Sequence, residues 1–273
     1  MMQRLLLSLL LLGSLTACEQ EIDIDLNSTD PKLVIEALLD DSGKGAWVKL
    51  TQTVNFSDTI GNPVQSGALV VLVRLSNNSR DTLQQLPDSA YILPNYVPLY
   101  GEEYAFEVTH QGNFYRATAR MPQPIPIDSL VIDPFFGPGG LPGNPVDTTN
   151  QRNALLYAFY NDPPAASNYY QIQAFQNDTV TDNLFLYNDE VNSGLFQVSP
   201  VFVQTYINGR IRVELHHIDQ AVFRYLTNLN TNIGQSSASP ANPISNFSGG
   251  ALGYFKLYAN TSAEFQLVEP LGP

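Results

Sequence analysis

The side chains that could do chemistry are few, and their spacing does not favour catalysis. Three histidines occur in 273 residues. His216 and His217 are adjacent, and adjacent side chains on a strand point to opposite faces, so the two cannot close on one metal ion. His110 falls in "HQGN", a turn sequence, and is expected at the surface. No Gly-x-Ser-x-Gly elbow is present, and histidines spread this way give no triad. Carboxylates adjoin at Glu102–Glu103 and Asp189–Glu190. A glycosidase needs two acids facing one cleft at a set separation, which sequence adjacency does not supply. Asp133 and Asp147 lie in a Gly/Pro-rich stretch, but the Asp-x-Asp-x-Asp-Gly spacing of a calcium loop is missing. The two glycines of "SNFSGGALGYF" (245–255) allow positive φ or close backbone approach. No lysine or helix follows them to make a phosphate loop. The expectation is a protein with no catalytic residues, no metal and no cofactor.

One chemically committed residue remains. Cys18 is the sole cysteine, and "LTAC" places Leu15, Thr16 and Ala17 before it. The apolar run upstream is about 10 residues, against roughly 20 for a membrane-spanning helix. The pattern resembles the bacterial lipobox, in which the thiol is acylated, the peptide is cut before the cysteine and the new amine is acylated too. Acyl chains contribute about 0.8 kcal/mol per buried methylene, and several together hold firmly. A plain secretory signal is the alternative. The absence of a second cysteine argues against a disulfide role. Glu19, Glu21, Asp23 and Asp25 follow. They read either as a surface-export tag or as a solvated acidic tether.

Composition narrows the function classes further. The net charge is −13. Cleavage before Cys18 would remove Arg4 and no acid, leaving −14. Such a chain is repelled by nucleic acid backbones and anionic lipid, and it has no basic cluster, so nucleic acid is excluded as a partner. Charged residues make up 14%, while Tyr and Phe number 14 each, a profile of exported β-proteins.

The elements needed to position any site are mostly strands. "KLVIEALLD", "AWVKLTQTV", "ALVVLVRLS" and the hairpin "EEYAFEVTHQGNFYRATARMP" alternate or run apolar between Gly/Asn/Asp turns. They predict an Ig-like antiparallel β-sandwich over 31–122, after a signal peptide at 1–17 and an acidic tether at 18–30. Residues 123–152 read as a Pro/Gly-rich connector and loop. Residues 153–273 read as a second β-rich unit with one amphipathic helix near 219–230, N-capped by Asp219. The fold class is therefore mainly β. Tyr91, Tyr96 and Tyr100 in a Pro-broken stretch, and Phe135 and Phe136 in the loop, are candidate binding aromatics. The competing reading has them cover the sandwich end or the junction between units.

Taken in order, the lipobox, the acidic stretch, "LVIEALLD", "YGEEYAFEV…GNFYRATARMP", "IPIDSL" and "NPISNFSGGALGYFKLYA" resemble the Bacteroidetes lipoproteins grouped as domain-of-unknown-function family 4249. The resemblance covers nearly the whole chain past Cys18. It implies an outer-membrane lipoprotein facing outward and partnership with a TonB-dependent receptor in nutrient uptake; it supplies no catalytic residues. The expected function is an accessory or binding role without enzymatic activity. The alternatives are a glycan-binding or hydrolytic surface module, and a structural envelope or adhesion component.

Overall fold

The computed structural model describes residues 30–54, 61–87, 90–133, 151–164, 167–181, 183–191, 193–206, 209–234 and 242–266. The lipobox, Cys18, the acids Glu19 to Asp25, Phe135, Phe136 and Asp147 lie outside them. Among the described residues the fold is mainly β with a single helix, and no helix is long and apolar enough to cross a membrane.

The first half supplies β1 (Leu33–Asp40), β2 (Gly45–Gln52), β3 (Leu69–Arg74), β4 (Ser79–Thr82), β5 (Gln84–Gln85), β6 (Ala90–Pro94), β7 (Glu103–His110) and β8 (Asn113–Arg120). Strict alternation in β1 buries Leu33, Ile35, Ala37 and Leu39 and leaves the residues between them half-covered. β7 and β8 form the expected hairpin; Gln111 and Gly112 both take positive φ, the conformation a two-residue turn needs. The sheet β4-β3-β7-β8 faces β1, β2 and β6 across a core that includes Ile35, Val48, Leu50, Leu72, Phe106 and Val108.

The second half supplies β9 (Ile127–Ile132), β10 (Gln151–Asn161), β11 (Tyr169–Gln176), β12 (Thr179–Val180), β13 (Phe185–Asn188), β14 (Phe196–Tyr206), β15 (Arg210–Ile218), α1 (Gln220–Gly234) and β16 (Leu252–Gln266). β9 is a strand inside the segment expected to be a connector. The alternating prolines stop at Pro126, so Ile127 onward can donate to a ladder, and β9 pairs with β10. The sheet β14-β10-β9 packs over β11 and β15 on a second core containing Leu156, Tyr160, Tyr170, Ile172, Val201 and Val213. α1 starts where expected: the Val222 N–H donates to Asp219 Oδ1 at 2.8 Å. Val222, Tyr225 and Leu226 bury against Tyr169 and Ile218, forming a small third cluster.

The boundaries drawn at 122 and 153 do not separate the two cores. β16 joins them. Leu252 to Tyr258 pair in parallel with β1, and Ala259 to Gln266 pair antiparallel with β15. A nine-stranded sheet therefore runs through both halves. Phe255, Leu257 and Ala259 fill the first core, while Phe265 packs on the second. The last strand thus completes the first sandwich, and residues 31–122 do not close a core on their own.

The 245–255 stretch turns out to be the fitting that seats β16. Asn246 clasps the Phe255 backbone, donating from Nδ2 to its carbonyl and accepting its N–H at Oδ1, both at 2.9 Å. Phe247 is buried in the first core. Ser248 bonds the backbone of Arg116, covering the outer edge of β8.

Candidate functional site

The structure disperses most of the residues singled out by type. Tyr91 is 1% exposed, a core side chain whose hydroxyl accepts from the Ala68 N–H at 2.9 Å; it is not available as a surface binding aromatic. Tyr96 is partly buried, edge-on to Tyr104 with centroids 6.2 Å apart. Tyr100 is half-exposed, and its hydroxyl donates to Asp41 at 2.7 Å. The three tyrosines therefore form no common stacking platform. His110 is buried, contrary to the turn-based expectation, because the two-residue turn makes it the last residue of β7.

The acid pairs split as well. Glu102 meets Arg74 at 3.2 Å and Glu103 meets Arg120 at 2.9 Å. They border an open cleft of about 290 Å³, but each faces its own guanidinium. The hydrogen bond from Arg74 holds the Glu102 carboxyl below its usual range. Asp189 is buried, whereas Glu190 accepts from the Tyr169 hydroxyl at 3.1 Å. Asp133 accepts from Tyr157 at 3.3 Å.

A different acid pair is assembled, which sequence adjacency could not reveal. Asp162 and Asp189, 27 positions apart, are both buried. Asn168 Nδ2 donates to each of them at 3.2 Å, and the Gly194 N–H donates to Asp162 at 2.8 Å. The Tyr170 hydroxyl donates to Asp162 as well. Burial, followed by a hydrogen bond with Asp189, pushes the Asp162 carboxyl up. The group ties two loops, after β10 and after β13, to the start of β11. Asp162→Ala is expected to cost roughly 2–3 kcal/mol in denaturant unfolding, because it strands the Tyr170 hydroxyl and the Gly194 N–H; a loss under ~0.5 kcal/mol would contradict this role.

The second assembly is centred on Lys256, which the sequence reading passed over. In "GYFKLYA" the core takes Phe255 and Leu257 and turns Tyr254, Lys256 and Tyr258 to the opposite face. There α1 and the neighbouring strands cover them. Lys256 is only 6% exposed. Its Nζ lies 2.6 Å from Gln171 Oε1, 2.8 Å from His216 Nδ1 and 3.9 Å from the Tyr258 ring centre. Burial lowers its pKa to about 7. His216 is pushed well below the ordinary imidazole range, by burial first and then by Lys256. His217 points to the other face and reaches the Gln123 carbonyl at 2.8 Å. As strand geometry requires, the two histidines do not meet.

The third feature is a surface. On the outer face of β14-β10-β9, register places Val198 beside Phe159, Pro200 beside Tyr157, and Val131 on the other side of Tyr157. Phe196, Val198, Phe202 and Val131 are each about half exposed. Phe159 and Phe196 stack at 5.6 Å. The comparable outer face of β4-β3-β7-β8 is built differently: Glu107 is flanked by Arg80 and Arg116, and Glu103 is paired with Arg120. The first sandwich's outer face thus mixes ion pairs with the buried Val71, Val73 and Ala105 and the half-exposed Leu69 and Phe114, whereas no ion pair is seen among the described residues of the β14-β10-β9 face. "FQVSPVFVQ" carries the signal, since it is apolar at positions of both parities, and a strand flanking solvent would alternate.

No grouping of three or more potential metal-ligating side chains exists among the described residues. No curated protein matches the sequence. Residues 19–264 match the sequence model of one family, described as a domain of unknown function (DUF4249). That match spans the two sandwiches, the helix and the shared strand, and the chain belongs to this family.

Proposed function

We propose that this chain is a lipid-anchored, non-enzymatic binding module on the outer face of a Bacteroidetes outer membrane. In this reading its apolar β9–β10–β14 face docks a membrane-embedded protein, a TonB-dependent receptor in nutrient uptake. The carrying observation is that exposed face, with Phe196 and Val198 on its edge strand β14. Contiguous apolar surface on an exported protein marks an interaction site.

The face is the open side of a three-stranded sheet, which suits a protein better than a small molecule held in a concave pocket. Two strands of 11 residues and one of 6 give a face of about 450 Å². Two copies would bury about 900 Å² together, below the roughly 1,200 Å² of a stable dimer. An interface this small holds only if partner and module share a surface. The anchor at Cys18 and the short tether to Asp30 would provide that, raising the effective concentration to about millimolar. The net charge of −13 argues against the lipid headgroups themselves as the occupant.

The test is affinity purification of the full-length lipidated protein from outer membranes. The wild type is expected to recover a TonB-dependent receptor, and Val198→Asp to reduce that recovery at least about tenfold, with an unchanged melting temperature. Cys18→Ala is expected to release the protein from the membrane fraction. Undiminished recovery by Val198→Asp, or no receptor with the wild type, would overturn the docking reading.

A further inference from the structure

The Lys256 cluster has a property that packing alone does not require. Lys256 offers only donors, so His216 Nδ1, 2.8 Å away, has to accept. The other ring nitrogen, Nε2, lies 3.1 Å from Glu214 Oε2 and donates to it. His216 is thereby fixed as the neutral tautomer with its proton on Nε2. Glu214 is in turn paired with Arg212. On the far side of the lysine, the Tyr258 hydroxyl donates to Asp40 Oδ2 at 2.9 Å. A chain of contacts therefore crosses from β15 through β16 to β1, with the Lys256 ammonium over the Tyr258 ring as its middle link. It runs through the segment of β16 where pairing passes from β1 to β15.

The path accommodates one proton on the Lys256–His216 pair and has no place for two. A second proton on Nδ1 would point at the ammonium, with no acceptor between them. The groups around the pair do not relieve this. On β15 they are Glu214, already shared with Arg212, and on β11 the neutral Gln171. On β1 they are Asp40, engaged by Tyr258, and Glu36, which lies toward Tyr254 and Tyr225. Asp41 accepts from the Asn260 N–H and from Tyr100. From α1 the approach is by Tyr225, whose ring lies tilted against Tyr254 with centroids 4.9 Å apart, and not by a carboxylate. Asp162 and Asp189 lie near His217 on the opposite face.

We propose that the Glu214–His216–Lys256 chain is an acid-sensitive latch: uptake of a second proton by the His216–Lys256 pair loosens the junction of β15, β16 and β1 that both sandwiches share. The latch is separate from the docking face and does not depend on that reading.

The sign follows from which state binds more protons. Both groups are bases with folded pKa values below their unfolded ones, so the unfolded chain holds more protons and stability rises with pH. The Lys256 contribution rises from about pH 7 toward the ordinary lysine value of 10.5. The His216 contribution is lost as pH falls through 6.5. Working above about pH 5.5 keeps most ordinary carboxylates ionised.

The experiment is hydrogen–deuterium exchange on the full chain at pH 7.5 and 5.5, corrected for intrinsic rates. Protection of 252–266 and 210–218 is expected to fall at least about tenfold more than that of β7 and β8. In His216→Gln this selective loss should shrink to about threefold or less, and in Lys256→Met the alkaline rise in melting temperature should disappear. Carbon-detected NMR of the Lys256 Cε in the wild type adds a measurement that needs no variant, with a midpoint near 7 expected. A uniform loss of protection across all strands, a Lys256 midpoint near 10.5, or variants that keep the wild-type pH dependence would each overturn the latch.

Discussion

A chain ending at residue 244 will not fold, although every strand of the first sandwich except its last lies within residues 33–120. The cut removes β16 and its lead-in, and with them Phe247, Phe255, Leu257 and Ala259 from the first core. Phe255 alone is fully buried and packs edge-on to Phe106 at 4.7 Å. Losing one such side chain costs about 3–5 kcal/mol, and a domain of ordinary size has only about 5–15 kcal/mol to lose. The cut also strips β1 of its parallel partner and β15 of its antiparallel one. The expected result is loss of the cooperative unfolding transition and of dispersed amide resonances. A truncated chain that melts cooperatively would show that the first sandwich closes without β16.

Gly253→Val carries the second-largest expected effect, from one side chain. Gly253 sits in β16 opposite Ile35 with φ +92°. A Cβ built there would lie 2.1 Å from the Ile35 carbonyl oxygen and 2.8 Å from its nitrogen. Those atoms belong to the neighbouring strand's backbone and cannot swing aside. The left-handed conformation adds about 1–2 kcal/mol for any residue with a Cβ, and β-branching makes it worse. Together with the displaced ladder, the expected destabilisation is about 4 kcal/mol or more, enough to unfold a marginal protein. Gly250→Ala is the matched control. Its φ is +81°, but nothing lies within 4 Å of the added carbon, so a cost of about 1–2 kcal/mol is expected. Equal losses from the two substitutions in chemical denaturation would refute the close-approach account.

Much of the secondary structure was legible because it rests on local chemistry. Alternating or apolar runs between turn residues marked β1, β2, β3, β7 and β8. Asp219 followed by apolar residues at helical spacing marked α1, and the hydrogen bond from Val222 shows the cap. The candidate sites were less legible. Tyr91 looked like a loop aromatic beside prolines, yet β6 pairs with β2 and turns it inward. Asp162 and Asp189 carry no spacing signal, since a loop at the end of β10 and another after β13 bring them together. Lys256 had a faint one, a lysine flanked two residues away on each side by tyrosine.

The amino-acid order by itself determined the β-rich class, the helix and its cap, the hairpin turns and the strongly acidic charge. Each depends on residues within a turn or two of one another, or on composition alone. Tertiary structure alone decided that one strand serves two sandwiches. It also decided that a lysine is buried against a histidine 40 positions away, and that one sheet face carries ion pairs while another shows none among its described residues. The physical reason is chain topology: β16 pairs with a strand about 218 residues earlier. Periodicity shows which face of a strand is buried, but it carries no information about the distant strand that buries it.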